Sequence, residues 1–119
     1  MRTSFISPIG RVVVAKLAQP FYVDEWRIWF ADVSFADGWE WPAKGPEPNV
    51  WRFVAVSSPI IYDAHGKRLG LLEEVGAGSS VRVAGYHYKD GARHVLTLRH
   101  VSIVKFIEAH NPFMMLQPA

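Results

Sequence analysis

The sequence predicts an all-β domain of 119 residues built around one long hairpin. Three observations carry this. Residues 78–108 read as two strands folded back on each other around a Lys89-Asp90-Gly91 turn. β-Branched and aromatic residues crowd three earlier runs, 12–17, 21–35 and 50–58, without the apolar stripe of a helix. Proline and glycine punctuate the intervals, with three prolines and two glycines inside 36–49 alone, which excludes a helix or central strand there.

In order, the chain opens with a turn-like Ser7-Pro8-Ile9-Gly10-Arg11 cluster, followed by Val12-Val13-Val14 and Ala15-Lys16-Leu17. This predicts a short strand ending near Leu17, since Pro20 has no N–H for a ladder. Residues 21–35 predict one long strand. Trp26, Ile28 and Phe30 fall on one face and Arg27, Trp29, Ala31 and Val33 on the other, so both faces are partly apolar. Such a strand is either covered on both sides or presents aromatics to a ligand. The 36–49 loop carries Trp39 and Trp41, which either fold back as a lid on the core or form a stacking surface with Lys44 close by. Residues 50–58 predict the strand that partners 24–35, and 60–62 continue extended beyond Pro59. Asp63-Ala64-His65-Gly66-Lys67 predicts a turn with Gly66 left-handed. The one segment with helical potential is 69–75, closed by Gly76-Ala77-Gly78 as a glycine cap would close it.

Within the hairpin, Val81, Val83 and Gly85 share one face, while Arg82, Ala84, Tyr86 and Tyr88 share the other. Asp90-Gly91 tolerates positive φ, so the second arm returns antiparallel from about Ala92. Its apolar spacing slips by one between Leu98 and Val101, as at a β-bulge where a strand bends round a small barrel; a curved hairpin in a β-sandwich is the alternative. Gly85, in mid-strand, permits strong coiling or close backbone approach.

Composition narrows the function. A chain that is 50% hydrophobic and 20% charged is not disordered as a whole, and without cysteine it holds neither disulfide nor thiolate metal site. No apolar run approaches the ~20 residues of a membrane span, and 1–10 lack the layout of a signal peptide, so no membrane partner and a cytoplasmic location are expected. A net charge of +2 attracts polyanions only weakly. Aromatics, at 13% with five tryptophans, are the more unusual feature, so stacking should weigh as much as charge.

Catalytic machinery is not evident. His65, His87, His94, His100 and His110 show no paired ligand spacing; His87 and His94 flank the turn and read as a solvated cross-strand pair rather than a zinc site. Glu73-Glu74 and Asp24-Glu25 are sequence neighbours and so point to opposite faces of a strand, and no phosphate or nucleophile motif occurs. No enzyme activity, cofactor or metal is expected. What recurs is a cation beside an aromatic: Arg27 with Trp29, Arg52 between Trp51 and Phe53, Arg82 with Tyr86 and Tyr88. Lys89 and Arg93 border the turn, and Arg99 and Lys105 follow. Residues two apart share a strand face, which places a ring for a base beside a guanidinium for its phosphate. The same pairs also stabilise plain sheets, by a few tenths to about 1 kcal/mol. The expected nucleic-acid-binding set is Arg27, Trp29, Trp39, Trp41, Arg52, Arg82, Tyr86, Tyr88, Lys89, Arg93 and Arg99.

Several stretches together resemble the phage-encoded single-stranded-DNA-binding proteins with an OB fold. They are Ser7-Pro8-Ile9-Gly10-Arg11 with Leu17 and Pro20, Gly76-Ala77-Gly78-Ser79-Ser80-Val81-Arg82-Val83 with Tyr86-His87-Tyr88, and Val95-Leu96-Thr97-Leu98 with Val101-Ser102-Ile103-Val104. The resemblance implies a five-stranded OB-fold-like Greek-key barrel over 1–119, coating single-stranded DNA with little sequence preference in phage-type replication and recombination, in the host cytoplasm. RNA offers the same rings and phosphates and stays open, as does a homo-oligomer. Many such proteins recruit partner enzymes through an acidic tail; 110–119 contains no acid, so tail-mediated recruitment is not expected. The alternative is a protein-interaction or virion-structural β domain whose aromatic loop 36–49 and apolar segment 109–119 serve a subunit interface.

Overall fold

The computed structural model describes residues 2–39, 48–69 and 75–107, and every regular element in them is a strand. They are β1 (Thr3–Ile6), β2 (Gly10–Val23), β3 (Trp26–Ser34), β4 (Val50–Ala55), β5 (Ile60–Tyr62), β6 (Ser80–Asp90), β7 (Arg93–Leu96) and β8 (His100–Lys105). One sheet joins them in the order β4-β3-β2-β6-β8-β5, with β1 and β7 also paired to β6. The pairs are antiparallel except β5 with β8.

The eight segments fall into five runs of chain. β1 and β2 pair in succession along β6, interrupted at Ser7-Pro8-Ile9; β4 and β5 are split by 56–59, and β7 and β8 by 97–99. These runs correspond to the five strands of an OB-type fold. The ladder is not closed, however: it runs from β4 to β5, and β4 reaches β7–β8 through an isolated parallel bridge between Val54 and Thr97. No helix occurs among the described residues. The helical expectation for 69–75 falls mostly outside them, as do Trp41, Lys44 and the 109–119 segment.

Two features of the N-terminal half differ from the sequence expectation. Pro20 does not end its strand, because the register shifts between the pairs Lys16–Phe30 and Phe21–Ile28. Five steps on β2 (16 to 21) thus oppose two on β3 (30 to 28), and the missing N–H of Pro20 falls in this irregularity. The 21–35 run is likewise not one strand. Asp24 and Glu25 take left-handed φ values of 48° and 70°, the pattern of a two-residue I′ turn, and reverse the chain between Val23 and Trp26.

In the organising hairpin, Val81, Val83 and Gly85 are buried, and Arg82, Ala84, Tyr86 and Tyr88 face outward. The turn residues are Gly91 (φ 64°) and Ala92, between the paired Asp90 and Arg93. Ala84 pairs with His100 and His87 with Leu96, so three steps on β6 oppose four on the return arm. The extra residue is the bulge. It lies over Gly85: the Tyr86 N–H donates to Thr97 Oγ1 at 2.7 Å, the Thr97 N–H to the Tyr86 carbonyl at 2.9 Å, and the Thr97 carbonyl fills the space a Cβ on residue 85 would need.

The core is aromatic at one end. Trp39 packs its ring 5.2 Å from Phe5, 5.3 Å from Phe35 and 5.7 Å from Phe53. It is therefore a lid on the core, half-buried over these rings.

Candidate nucleic-acid interface

The outward face of β6 presents Tyr86 and Tyr88, both half-buried. Arg2, just before β1, and Arg99, in the β7–β8 bulge, lie against the ring of Tyr86, their guanidinium carbons 5.6 and 5.9 Å from its centre. Beside them is a depression of about 260 Å³, lined by Tyr86, Tyr88 and Arg99 on one side and by Ile28, Val54 and Val56 on the other. It shares Val54 and Val95 with a second depression of about 300 Å³, lined also by Arg52, Arg93 and His94. The two form one trough between the β3–β4 face and the β6–β7 hairpin. Four arginines border it, and no carboxylate is among the described residues lining either depression.

The four are not equivalent. Arg52 donates from Nε and Nη2 to the two carboxylate oxygens of Asp32, each at 2.7 Å, and Asp32 is fully buried beneath it. The hydrogen bond to Asp32 raises the Arg52 pKa, against the opposing pull of desolvation. Two of its five N–H donors are thus committed, and the pair is electrically neutral. Arg52 is therefore less available to a phosphate than the sequence implied. Arg93 is exposed and makes only a 3.4 Å contact with Asp90, while Arg2 and Arg99 are exposed beside Tyr86.

Other expected residues lie elsewhere. Trp29 is 7% exposed and turns with Ala31 and Val33 away from the trough, while Arg27 lies over its ring at 5.4 Å. It anchors Arg27 rather than offering a ring to a base. Trp39 is part of the core lid. Lys89 is exposed near the hairpin tip, and Arg82 is exposed on the outward face of β6 but outside the trough.

His87 and His94 do pair, with Nε2 and Nδ1 2.8 Å apart and rings tilted by 25°, but His87 is buried rather than solvated. Desolvation lowers its pKa, and the nearby charges of His94 and Lys89 lower it further. No group of three or more metal-ligating side chains occurs among the described residues.

Against solved structures the fold has a precedent. The chain is similar to gp2.5, a single-stranded DNA binding protein encoded by bacteriophage T7. The match has a TM-score of 0.69 and covers 93% of this chain and 91% of that one, at 14% identity. At that identity the likeness to gp2.5 shows the fold, the OB-type arrangement expected from the motifs. No protein-family model matches the sequence, and no curated protein does.

Sequence reasoning missed part of the trough. Arg2 stands alone near the start with no pattern around it, and Ile28, Val54 and Val56 look like ordinary strand residues until β3 and β4 are paired. Trp26 shares the Ile28 face and is 73% exposed beside the β2–β3 turn, with Phe21 and Val23 exposed next to it. Treating 21–35 as a single strand hid the turn that leaves this ring uncovered.

Proposed function

We propose that the chain binds single-stranded DNA along the trough, stacking bases on Tyr86 and Tyr88 while Arg2, Arg93 and Arg99 hold phosphates. The observation that carries this is the ring of Tyr86 with two exposed arginines against it, Arg2 and Arg99, on a groove whose described lining residues include no carboxylate. Stacking contributes about 1–3 kcal/mol per base whatever the base, so the binding has little sequence preference. A duplex hides its base faces and is the poorer ligand. The OB-type fold shared with gp2.5, named as a single-stranded DNA binding protein, supports the assignment. A non-enzymatic part in phage-type replication or recombination, in the host cytoplasm, belongs to the same proposal.

The test is fluorescence anisotropy with labelled oligo-dT, oligo-U and a duplex of equal length, each at two salt concentrations. The proposal expects tight binding to oligo-dT, weaker binding to the duplex, and a log–log salt slope of about −2, from three phosphate contacts at about −0.7 each. No binding to oligo-dT overturns it. A subunit-interface role is favoured by one observation, the exposed Phe21, Val23 and Trp26 at the β2–β3 tip.

A further inference from the structure

We propose that the nucleic-acid track continues past Tyr86 onto the outer face of β1, β6, β8 and β5, where Tyr62, His100 and Arg82 form a second station for the same single strand. This rests on the trough reading and extends it.

Register places these side chains together. Ile6, Ala84, His100 and Ile60 are Cα partners across the four strands, and Arg82, Ser102 and Tyr62 form the next row. Paired residues share a face, and this one is outward, because Val83, Val101 and Ile61 of the alternate positions are buried. Tyr62 and His100 are diagonal neighbours on it, with ring centres 6.1 Å apart and planes tilted by 23°. An aromatic pair already ordered in this way loses little freedom when a base stacks on it. Arg82 is exposed, and it lies two strand spacings from Tyr62, about 10 Å.

The face is joined to the trough. A depression of about 550 Å³ is lined by Ser4, Ile6, Ala84 and His100 together with Tyr86 and Arg99, which also line the trough. Tyr86 is thus a ridge between two clefts, and a strand stacked on it has a way onward on either side. Small Ala84 keeps the floor low, and Ile6, 72% exposed, forms its far wall. Among the described residues, the rows and the cleft contain Arg82 and Arg99 but no carboxylate. Asp63, next to Tyr62 in the chain, stays a charged carboxylate, its Oδ1 held in the following turn by the N–H groups of His65 and Lys67. What suits a phosphate backbone on the face itself is the pair of arginines. This also gives a part to Arg82, an outward cation of β6 that the trough does not use.

Oligomer length separates the two stations. OB folds occupy about 4–16 nucleotides, so oligo-dT of about 5 residues fills the trough alone and about 15 reaches both. The quantity read is the ratio of long to short affinity in the full chain, for the unmodified protein, Y62A and R82E. The proposal expects that ratio to fall about tenfold in each variant, with thermal unfolding recorded for both. R82E alters an exposed side chain and keeps the test decisive should Y62A unfold. An unchanged ratio in folded R82E overturns the second station while leaving the trough intact. Absence of binding to either length by the unmodified chain overturns both.

Discussion

Arg52 covers Asp32 with two hydrogen bonds of 2.7 Å, and Asp32 has no exposure of its own. Asp32 occupies an outward-alternating position of β3, paired with Arg52 on β4, yet it is sealed by the guanidinium, which also lies 5.4 Å from the centre of the Phe30 ring. Removing the cap leaves a buried carboxylate without these donors. Because the outer side of Arg52 is solvated, the cost falls below that of a fully buried pair, at about 2 kcal/mol. Chemical denaturation of R52M should show that loss of stability. Oligo-dT binding by R52K, which cannot form the two-pronged contact, should fall less than binding by R99A.

Tyr86 stands the other way round: on the proposed function it serves the ligand and is minor for the fold. Y86A should weaken oligo-dT binding by about 1–3 kcal/mol with little change in unfolding midpoint. R2A and R99A should each make the salt slope shallower by about 0.7. Lost stability with unchanged affinity in Y86A would make the ring a packing element.

Tyr86, Tyr88 and Arg93 were legible in the sequence because strand alternation and the turn at Gly91 fix their face without knowledge of the rest of the fold, whereas the orientation of Arg99 comes from the bulge it sits in. Arg27 with Trp29 obeyed the same local rule and yet points away from the trough. Which face of β3 meets water depends on β2 and β4, and local spacing does not contain that pairing. The β2–β3 turn was illegible for a chemical reason: Asp24-Glu25 adopts left-handed φ at both residues, where the usual signal is Asn-Gly. Arg52 sat between two aromatics in sequence, but its strongest partner, Asp32, is twenty positions away.

The His87–His94 contact makes stability depend on pH. Two neutral imidazoles satisfy each other as one donor and one acceptor, the roles set by the tautomer, and a charged ring at this buried position also loses its solvation. Desolvation first, then the charges of His94 and Lys89, lower the folded-state pKa of His87 below its ordinary 6.5. Above that value both folded and unfolded forms are neutral and the contribution is complete. As the pH falls through about 6.5 the unfolded chain takes up a proton that the folded chain resists, so stability drops until the folded pKa is also passed. Unfolding midpoints measured between about pH 7.5 and 5 should fall on acidification, and H87L should flatten that part of the profile.

Gly85 and Gly91 separate steric from conformational need. A Cβ at Gly91 meets nothing within 4 Å, so G91A carries only the left-handed φ of 64°, about 1–2 kcal/mol. A Cβ at Gly85 runs into the Thr97 carbonyl, which is main chain held in place by the Thr97 N–H to the Tyr86 carbonyl and the Leu98 N–H to the Val54 carbonyl. G85A should therefore cost more than G91A, about 3 kcal/mol, and loosen the bulge that carries Arg99. Equal losses in the two variants would mean that the bulge can shift away.

Trp26 decides between the ligand and subunit roles of the β2–β3 tip. The residue is 73% exposed, against 7% for Trp29 and 3% for Trp51, so of these three, added quenchers act first on Trp26. It shares the face of Ile28, which lines the trough, and a single strand leaving the trough past Ile28 would meet it. Saturating oligo-dT should then shield Trp26 from acrylamide, and W26A should lose about 1–3 kcal/mol of affinity with sedimentation unchanged. Should the tip instead join two copies, W26A would bind oligo-dT normally and sediment as a smaller species than the unmodified chain.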